Sequence, residues 1–519
     1  MAEKANGAGT ANDNTLGPLD FGLYSSFLAY QSPLQTSWIA AAHGVPGGPR
    51  EEGFTYVQQG CGPAFALAVL AASYPDAKFV GLESDMGQLE RARKLASNAG
   101  LANLDIRPMP AADADLPQAD ILALSTILSW LGPDERAHTL TRAHRALNDN
   151  GIVCVQYSAL PGNAAMDTLY ALLRGTAETL DGDPVTRLAG AVQRTIDLAR
   201  GGAVFFNAYP AAAQALQGIA QTHPSLGVHE VLHSRAQALY HSEVRNAMAA
   251  ASLRYVGNGQ LDLNYIELSV PLQTRPMVEA ARTPELSELL QDFASNRQAR
   301  ADLYAKGPKL AAEDLSEALA PFRLTRFSVG DDTLARQQMS QQTGIDLTAQ
   351  VYTELFRALE GHALTVGELV ERPEMRKHAR PRLLKAIQLA TGLGLITLIR
   401  NGVSLVTGPL PEALAMNGVL NEGFLENNLD NPEGVAFAAP VTGMRVLLSM
   451  QERWLLHAVL GGDLGPVFDS LKARGLELKD KEGTPASKET FVNAVMSDVS
   501  NFRRQAAERL YRVGVLTAG

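Results

Sequence analysis

The sequence predicts an α/β fold, with a doubly wound parallel sheet in the first third of the chain and mainly helical regions after it. Between Phe54 and Tyr157, short apolar strand patterns alternate with helical patterns, and a glycine-rich turn separates the first strand from the first helix. Such alternation is typical of parallel sheets whose crossover helices cover both faces. We therefore expect a Rossmann-type domain at 19–165.

Five strands and three helices are predicted within this stretch. The strand patterns lie at 54–57, 78–82, 105–107, 120–124 and 151–157, and the helical patterns lie at 64–74, 86–99 and 134–147. The fourth strand pattern is continuously apolar, which is typical of a parallel strand buried on both faces. Ser84 or Asp85 is the expected N-cap of the second helix, because a short side-chain oxygen can accept the N–H groups of the first turn.

The rest of the chain divides into four further parts. Residues 1–18 are small and polar, which predicts a disordered tail. Residues 166–335 are predicted to form a mainly helical domain, and residues 411–519 a helical C-terminal region. Residues 336–410 have the outline of a winged helix, in which three helices are followed by a two-stranded ribbon.

The winged-helix prediction rests on helical patterns at 347–359, 366–370 and 381–393 and strand patterns at 395–399 and 403–406. The last helix begins in a basic run at 377–385, which in a winged helix could face DNA. The whole chain, however, carries a formal net charge of −10, and neutralising phosphates requires clustered Lys and Arg. We expect no nucleic-acid partner, favour protein contacts, and leave a homodimer open.

The cysteine content and the lack of long apolar segments indicate the cellular compartment. The chain has two cysteines, Cys61 and Cys154, which excludes a disulfide framework and a zinc site built from cysteines. There is no apolar run of about 18 or more residues, and the N-terminus lacks the apolar core of a signal peptide. We expect a cytoplasmic protein without membrane insertion.

The predicted ligand site lies at the carboxyl ends of the strands, where doubly wound sheets bind nucleotide-type cofactors. Gly60 and Gly62 follow the first strand, and glycine permits both the angles of a tight turn and close approach of a ligand. Glu83 ends the second strand, where a carboxylate can accept hydrogen bonds from a ribose diol. Asp113 follows the third strand, where a short polar side chain could meet an adenine amino group.

Two cofactors suit this frame, a dinucleotide and S-adenosylmethionine, and one residue favours the second. The dinucleotide fingerprint needs a third small residue at the start of the helix, where this chain has Phe65. S-adenosylmethionine carries no pyrophosphate and does not impose that requirement. We therefore predict S-adenosylmethionine as the cofactor.

Several segments carry a family resemblance through their order along the chain. They lie at 30–36, 125–130, 157–162, 229–232, 252–257 and 292–300. In this order they resemble the class I S-adenosylmethionine-dependent methyltransferases with a methyltransferase regulatory domain. That group includes the protein-lysine methyltransferases of rickettsiae. The resemblance implies an enzyme that methylates lysine side chains of a protein substrate.

The resemblance also implies a set of site residues. Those expected to bind the cofactor are Gln58, Gly60, Cys61, Gly62, Glu83, Ser84, Asp113, Ser125, Tyr24 and Thr36. Those expected to form the acceptor pocket are Trp130, Tyr157 and Tyr30, because apolar surroundings favour the neutral amine that attacks the methyl group. No metal is expected, since His229 and His233 fall in a segment that matches the family.

Three residues support a second hypothesis. Gln58 stands where the family has an acidic residue that engages the donor's amino group, and an amide does not offset an ammonium charge. Leu128 replaces an aromatic residue and Ser158 replaces an asparagine. The alternative is a catalytically weakened protein that keeps the cofactor-binding fold and acts through protein–protein contacts.

Overall fold

The computed structural model describes most of the chain. The described residues are 31–48, 50–111, 114–125, 127–221, 228, 231–232, 237–311, 315–327, 332–406, 408–476 and 484–519. The predicted tail at 1–18 and the predicted site residues Tyr24, Tyr30 and Asp113 lie outside these ranges.

A seven-stranded sheet forms the centre of the described chain. Its strands are β1 Thr55–Gln59, β2 Lys78–Glu83, β3 Leu104–Pro108, β4 Ala119–Leu124, β5 Leu147–Ser158, β6 Arg254–Asn258 and β7 Ala299–Ala305. Their spatial order is β3-β2-β1-β4-β5-β7-β6, and β7 runs antiparallel to both of its neighbours. The strand order reverses between β1 and β4, which is where such sheets bind ligands.

Four helices accompany the first five strands: α1 Pro33–Ala42, α2 Phe65–Ser73, α3 Met86–Asn98 and α4 Pro133–Ala146. The five predicted strands and three predicted helices are confirmed, with ends shifted by a few residues. Asp85 is the N-cap of α3, since its Oδ1 accepts the N–H of Gln88 at 2.8 Å. The apolar side chains of β4 and β5 are fully buried, as the continuous apolar run predicts.

The sheet continues past the boundary predicted at residue 165. The strands β6 and β7 come from the region predicted as mainly helical. Sequence reasoning missed β7 because Arg300 and Asp302 point into the protein from it, and charged residues in a strand pattern usually mark a solvent face. Both side chains are at most 3% exposed.

A helical insertion separates β5 from β6. Its described helices are α5 Ala164–Glu178, α6 Pro184–Arg200, α7 Val204–Ala208, α8 Pro210–Gln221 and α9 His241–Ala250. The helices α5 to α8 share an apolar core of their own, which includes Leu169, Leu173, Leu188, Phe206 and Leu216. Because the insertion follows the carboxyl end of β5, it begins at the edge of the sheet where the cofactor is expected.

Further helices lie between β6 and β7 and after β7. The helices α10 Ile266–Ser269, α11 Arg275–Glu279 and α12 Pro284–Ala294 precede β7, and α13 Leu315–Leu319 and α14 Thr333–Thr343 follow it. Two 3-10 helices lie at Ile127–Trp130 and Asp262–Asn264.

The predicted winged-helix outline is correct in its helices and wrong in its hairpin. The helices are α15 Gln350–Leu359, α16 Val366–Val370 and α17 Arg380–Gly392. The strand β10 Thr397–Ile399 does not pair with 403–406, and pairs with β8 Arg323–Thr325, which also pairs with β9 Leu364–Thr365. The Arg323 Nη1 donates to the carbonyls of Arg400, Asn401 and Val403 at 2.8–3.0 Å, so a side chain binds the backbone that the hairpin would have used.

The C-terminal region is helical with short antiparallel strand pairs. Its helices are α18 Val419–Glu426, α19 Met450–Val459, α20 Leu464–Ala473, α21 Lys488–Phe502 and α22 Glu508–Arg512, with a π-helix at Arg503–Ala507. Its strands are β11 Leu414–Met416, β12 Val435–Ala439, β13 Met444–Leu448 and β14 Leu516–Ala518, paired β11 with β14 and β12 with β13. No described helix in the chain is long and apolar enough to cross a bilayer.

The C-terminal region covers helix α2. The residues from Phe65 to Ala71 are each at most 9% exposed, because the sheet packs on one side of α2 and β12 and β13 pack on another. The ring of Phe65 lies 5.3 Å from that of Phe424, between centroids. The bulk of Phe65 at the start of α2 therefore serves packing between the cofactor domain and the C-terminal region.

A turn in the C-terminal region forms hydrogen bonds with the cofactor domain. The carbonyl of Gly443 accepts hydrogen bonds from Ser32 Oγ and Tyr74 Oη, each at 3.0 Å. The guanidinium of Arg400 lies over the ring of Tyr74, 4.5 Å from its centroid. Gly443 has a φ of +59°, and a Cβ there would lie 2.0 Å from Tyr74 Oη. Only glycine fits this turn.

Replacing Gly443 with alanine is expected to lower the free energy of unfolding by about 2–4 kcal/mol, through backbone strain and loss of the two buried hydrogen bonds. Urea denaturation followed by tryptophan fluorescence measures it. Gly475→Ala is the matched control, because Gly475 also has a positive φ, of +75°, and no described atom lies within 4 Å of its Cβ position. Equal losses in the two variants would contradict a specific role for the turn.

Candidate cofactor and acceptor site

The loop after β1 has the backbone angles that its glycines predict. Gly60, Gly62 and Ala64 have φ values of +71°, +54° and +59°, which lie in the region that glycine favours. The N–H groups of Gly60 and Cys61 donate to the carbonyl of Leu82 at 2.9 and 3.2 Å. A Cβ at Gly60 or Gly62 would meet no described atom within 4 Å. The loop is thus fixed to β2 on one side, and no described residue covers its glycines on the other.

Glu83 braces this loop from the end of β2. Its Oε2 accepts the N–H of Gly62 at 2.7 Å, and its Oε1 accepts the N–H groups of Ser84 and Asp85 at 2.8 and 2.9 Å. The side chain is 8% exposed. A carboxylate held by three backbone donors is fixed in position, beside the loop and at the strand end where a ribose diol is expected.

Gln58 lies at the switch point between β1 and β4. Its Nε2 donates to Ser125 Oγ at 3.1 Å, and among the described atoms its buried Oε1 has no hydrogen-bond partner. The Oε1 of the neighbouring Gln59 is in the same situation. A buried acceptor without a donor costs about 1–3 kcal/mol, so a ligand that brings an N–H group to either amide would gain from it.

Cys61 does not act as a thiolate in this loop. Its side chain is 7% exposed, and burial together with the charge of Glu83 raises the pKa of the thiol to about 12. A Cβ at Gly81 would lie 2.8 Å from Cys61 Sγ, so the sulfur fills the space above a glycine of β2.

Trp130 lies where the sequence placed it, at the end of the 3-10 helix that follows β4, and it is partly exposed. Leu128 in the same segment is 1% exposed and packs in the core beneath the sheet. The aromatic residue expected at position 128 by resemblance is therefore replaced by a core leucine.

Two predicted site residues are fully buried, and their hydroxyl groups donate hydrogen bonds within the protein. Thr36, predicted to bind the cofactor, is fully buried, and its Oγ1 donates to the carbonyls of Ser32 and Pro33 within α1. Tyr157, predicted to line the acceptor pocket, is also fully buried, and its Oη donates to Asp302 Oδ2 at 2.6 Å. Both assignments are corrected, because these hydroxyls already have partners and no exposed surface.

Tyr157 belongs to a buried cluster of charged residues. At its centre, Arg300 Nε lies 3.0 Å from Asp302 Oδ1, and Arg300 Nη1 lies 2.6 Å from Asp292 Oδ1. His241 Nδ1 lies 3.1 Å from Asp302 Oδ2. Burial alone would raise the pKa of Asp302, but the charge of Arg300 and the hydrogen bonds from His241 and Tyr157 outweigh it and hold that pKa at about 2.

The cluster lies beside a backbone contact that shapes the loop after β5. The N–H of Ala159 donates to Gln298 O at 2.8 Å, and that of Gly162 donates to Arg297 O at 2.9 Å. A Cβ at Gly162 would lie 2.4 Å from Arg297 O. Two of the segments that carried the family resemblance, 157–162 and 292–300, are therefore in direct contact and form one unit at the cofactor edge.

Three residues of the resemblance lie outside the described ranges, namely His229, Glu230 and His233. Their His-Glu-x-x-His order is also the spacing of a metal-binding helix, so the expectation of no metal depends on the family resemblance. Within the described part of the chain, no group of three or more His, Cys, Asp or Glu residues could hold a metal ion.

Replacing Asp302 with asparagine is expected to lower the free energy of unfolding at neutral pH by about 3–5 kcal/mol, because the buried Arg300 then loses one of its carboxylate partners, and Tyr157 and His241 lose theirs. The depressed pKa of Asp302 stabilises the folded protein above pH 4, and this contribution is lost as the pH falls toward 2. Urea denaturation between pH 2 and 5 should show that contribution in the wild type and not in the variant.

The control for Asp302 is Asp183→Asn. Asp183 is an exposed N-cap of α6 whose pKa is also lowered, by its hydrogen bonds to Thr186. Asparagine is an equally good cap, so this variant should unfold like the wild type at neutral pH. If Asp302→Asn did so too, the cluster would not stabilise the fold.

Comparison with known proteins matches two families within the chain. Residues 57–151, which run from β1 into β5, match the family described as "Methyltransferase domain". Residues 225–306, which include β6 and β7, match the family described as "Predicted methyltransferase regulatory domain". The second match thus contains the strands that complete the sheet.

Among curated relatives, the chain is similar to the uncharacterized protein sll1526 of Synechocystis. The two are 24% identical over 498 residues, which cover 94% of this chain and 97% of that one. The trans-aconitate 2-methyltransferase of Methylobacterium radiotolerans is 31% identical over 146 residues, covering 27% of this chain and 52% of that enzyme. This chain therefore spans about half the length of the latter relative.

Among solved structures, the chain is similar to PKMT2 from Rickettsia typhi. The TM-score is 0.60 at 16% identity, and the match covers 92% of this chain and 98% of that one. A second structure of PKMT2, in complex with AdoHcy, matches with the same TM-score over 94% and 99% of the two chains. At this identity the likeness establishes the fold.

The glycine loop, the braced Glu83 and these matches agree in supporting S-adenosylmethionine as the cofactor. The chain thus combines a methyltransferase domain with a predicted methyltransferase regulatory domain, in a fold similar to that of PKMT2 from Rickettsia typhi.

Proposed function

We propose that this S-adenosylmethionine-dependent methyltransferase modifies lysine side chains of a protein substrate. The observation that supports methyl transfer is the arrangement of the cofactor edge, where the glycine loop after β1 lies between the braced Glu83 at the end of β2 and the segment after β4 that ends in Trp130. An additional helical insertion begins at the same edge, which suits a substrate larger than a metabolite.

The donor would be held by residues on three strand ends. Glu83 would accept hydrogen bonds from the ribose, and the bare backbone at Gly60 and Gly62 would let the donor approach closely. The Oε1 of Gln58, buried and without a described partner, would accept an N–H of the donor's ammonium group. Ser125, which already accepts from the Gln58 amide, would fix its orientation.

When bound, S-adenosylmethionine supplies a methyl group on a positively charged sulfur. An amine attacks the methyl carbon in line with the carbon–sulfur bond, and the sulfur leaves with the bonding electrons. The protein's task is to align the amine and to keep it neutral. The partly exposed ring of Trp130 at the end of the 3-10 helix offers an apolar surface, and desolvation there disfavours the ammonium form of lysine. The buried cluster around Asp302 would act indirectly, by holding the loop after β5.

The support for lysine comes from the relatives rather than from the acceptor pocket itself. PKMT2 of Rickettsia typhi has a similar fold over nearly the whole chain. A different relative, the trans-aconitate 2-methyltransferase, matches only over the cofactor domain. The regions outside that domain, which the PKMT2 likeness includes, are where a protein substrate would bind.

A second candidate function rests on Gln58. An amide accepts a hydrogen bond from an ammonium group but does not neutralise its charge, so donor binding would be weak. In that case the chain would be a binding or regulatory protein that keeps the fold and acts through protein–protein contacts.

Calorimetry with S-adenosylmethionine and its demethylated product tests donor binding, with Glu83→Ala as the variant expected to abolish it. Transfer of a tritiated methyl group to cell lysate then tests catalysis. Base treatment identifies the acceptor, because methyl esters are cleaved and methyl-lysine is not. Base-stable label in protein supports the proposal. Label that base releases would indicate a carboxylate acceptor, and donor binding without transfer would support the second candidate.

Replacing Gln58 with glutamate is expected to tighten donor binding by about tenfold or more, because a carboxylate offsets the ammonium charge. The same change should lower the melting temperature without donor, since an unpaired carboxylate is then buried. Calorimetry and thermal denaturation measure the two effects.

Gln59→Glu is the matched control for position 58, because Gln59 is equally buried, at 5% exposure, and points to the other face of β1. It should lower the melting temperature without improving donor binding. Equal donor affinities in all three proteins would rule out the proposed role of Gln58.

A further inference from the structure

Residues 237–239, called the return segment below, lie between helices α8 and α9 and are bound through their backbone. In order along the chain, their three N–H groups donate to the carbonyl of Ser129, to Asp167 Oδ2 and to the carbonyl of Ser158, at 3.0, 2.8 and 2.9 Å. These acceptors belong to the 3-10 helix after β4, to α5 and to β5. The return segment therefore joins three elements at the edge of the sheet where the cofactor is expected.

Ser129 also binds the end of β5 through its side chain. The Ser129 Oγ accepts the N–H of Ser158 at 3.0 Å, and Ser129 is 2% exposed. The pairing of β4 with β5 ends at Leu124 and Val155, so Ser158 lies past the last residue of β4. A buried N–H without a partner costs about 1–3 kcal/mol. The Ser129 hydroxyl therefore takes the place of the strand partner that β4 no longer supplies.

The segment 125–130 thereby connects the expected donor site with the return segment. At its start, Ser125 Oγ accepts from Gln58 Nε2 at 3.1 Å. Near its end, the carbonyl of Ser129 binds the return segment. Because Ser129 and Trp130 are consecutive residues of one short 3-10 helix, a shift of Ser129 also shifts Trp130 relative to the donor site.

Apolar packing holds the return segment in addition to these hydrogen bonds. Ala238 and Leu239 are 7% and 1% exposed, and Leu239 packs in the same core cluster as Leu128 and Tyr157. Burial of apolar area stabilises without fixing a direction, whereas a hydrogen bond fixes both distance and angle. Loss of the Ser129 hydroxyl is therefore expected to change the alignment of the 3-10 helix more than the stability of the fold.

We propose that Ser129 is a positioning residue for methyl transfer, which aligns Trp130 with the donor by tying the 3-10 helix to β5 and to the return segment. The proposal rests on the proposed function for its effect on transfer. A misplacement of about 1 Å at the acceptor can slow a reaction about 100-fold, whereas the donor contacts of Gln58 and Glu83 come from other strands. The return segment lies in the region that matches the regulatory family, and through Ser129 that region would act on the reaction.

The first test replaces Ser129 with alanine, which removes the acceptor of the Ser158 N–H and keeps the Ser129 carbonyl. Transfer of a tritiated methyl group to lysate protein should show kcat lowered about tenfold or more and KM for S-adenosylmethionine within about twofold of the wild type. The matched control is Ser73→Ala, because Ser73 is also fully buried and its Oγ makes one hydrogen bond to a backbone carbonyl, that of Val69 at 2.8 Å. The control should lose a similar amount of thermal stability and transfer as the wild type does.

The second test breaks the contact from the side of the return segment. Gln237→Pro removes the N–H that donates to the Ser129 carbonyl, and it should lower kcat as Ser129→Ala does. Gln237→Ala is the control, because it removes the same exposed side chain and keeps the N–H. It should transfer as the wild type does.

Equal values of kcat in Ser129→Ala and Ser73→Ala would overturn the proposal. So would weaker binding of the demethylated product to Ser129→Ala, measured by calorimetry, because Ser129 would then serve the donor site. If the wild type labels no protein, the proposed function fails, and hydrogen exchange decides the role of Ser129 without an acceptor. The amide of Leu239 should then exchange about tenfold faster in Ser129→Ala than in the wild type, and equal exchange would contradict the coupling.

Discussion

The buried ion pair between Arg300 and Asp302 is the constraint on which much of this structure depends. Two opposite charges in the interior of a sheet are tolerated only when their remaining polar atoms have partners. Arg300 accordingly draws in α12, and Asp302 draws in Tyr157 and His241. The cluster thereby joins the strands β5 and β7, and it determines which face of α12 is exposed. The buried charges therefore hold β5, β7 and α12 together.

A second constraint couples the cofactor loop to the C-terminal region. Helix α2 begins at the loop and is apolar on all sides, so it needs cover beyond the sheet. The strands β12 and β13 provide that cover, and Phe424 packs on Phe65 at the start of the helix. The packing of the cofactor domain therefore depends on residues more than 300 positions away in sequence.

Under the proposed function, the donor and the acceptor would be held by different parts of the structure. The donor side is rigid, because Glu83 is fixed by three backbone donors. Under the proposed function, the acceptor side would consist of Trp130 and the helical insertion, which come from different parts of the chain. Such a division suits an enzyme whose chemistry is shared by a family and whose substrate is particular to the protein.

The sequence by itself determined the five parallel strands, the glycine loop and the position of Glu83, because these depend on local patterns and on spacing within one α/β unit. It did not determine β7, since the charges of Arg300 and Asp302 indicate a surface until their partners are known. It misplaced Tyr157 and Thr36, because burial of a hydroxyl depends on residues distant in sequence. Tertiary structure also decided that α12 exposes Leu286 and Leu289, which periodicity predicts to face the core.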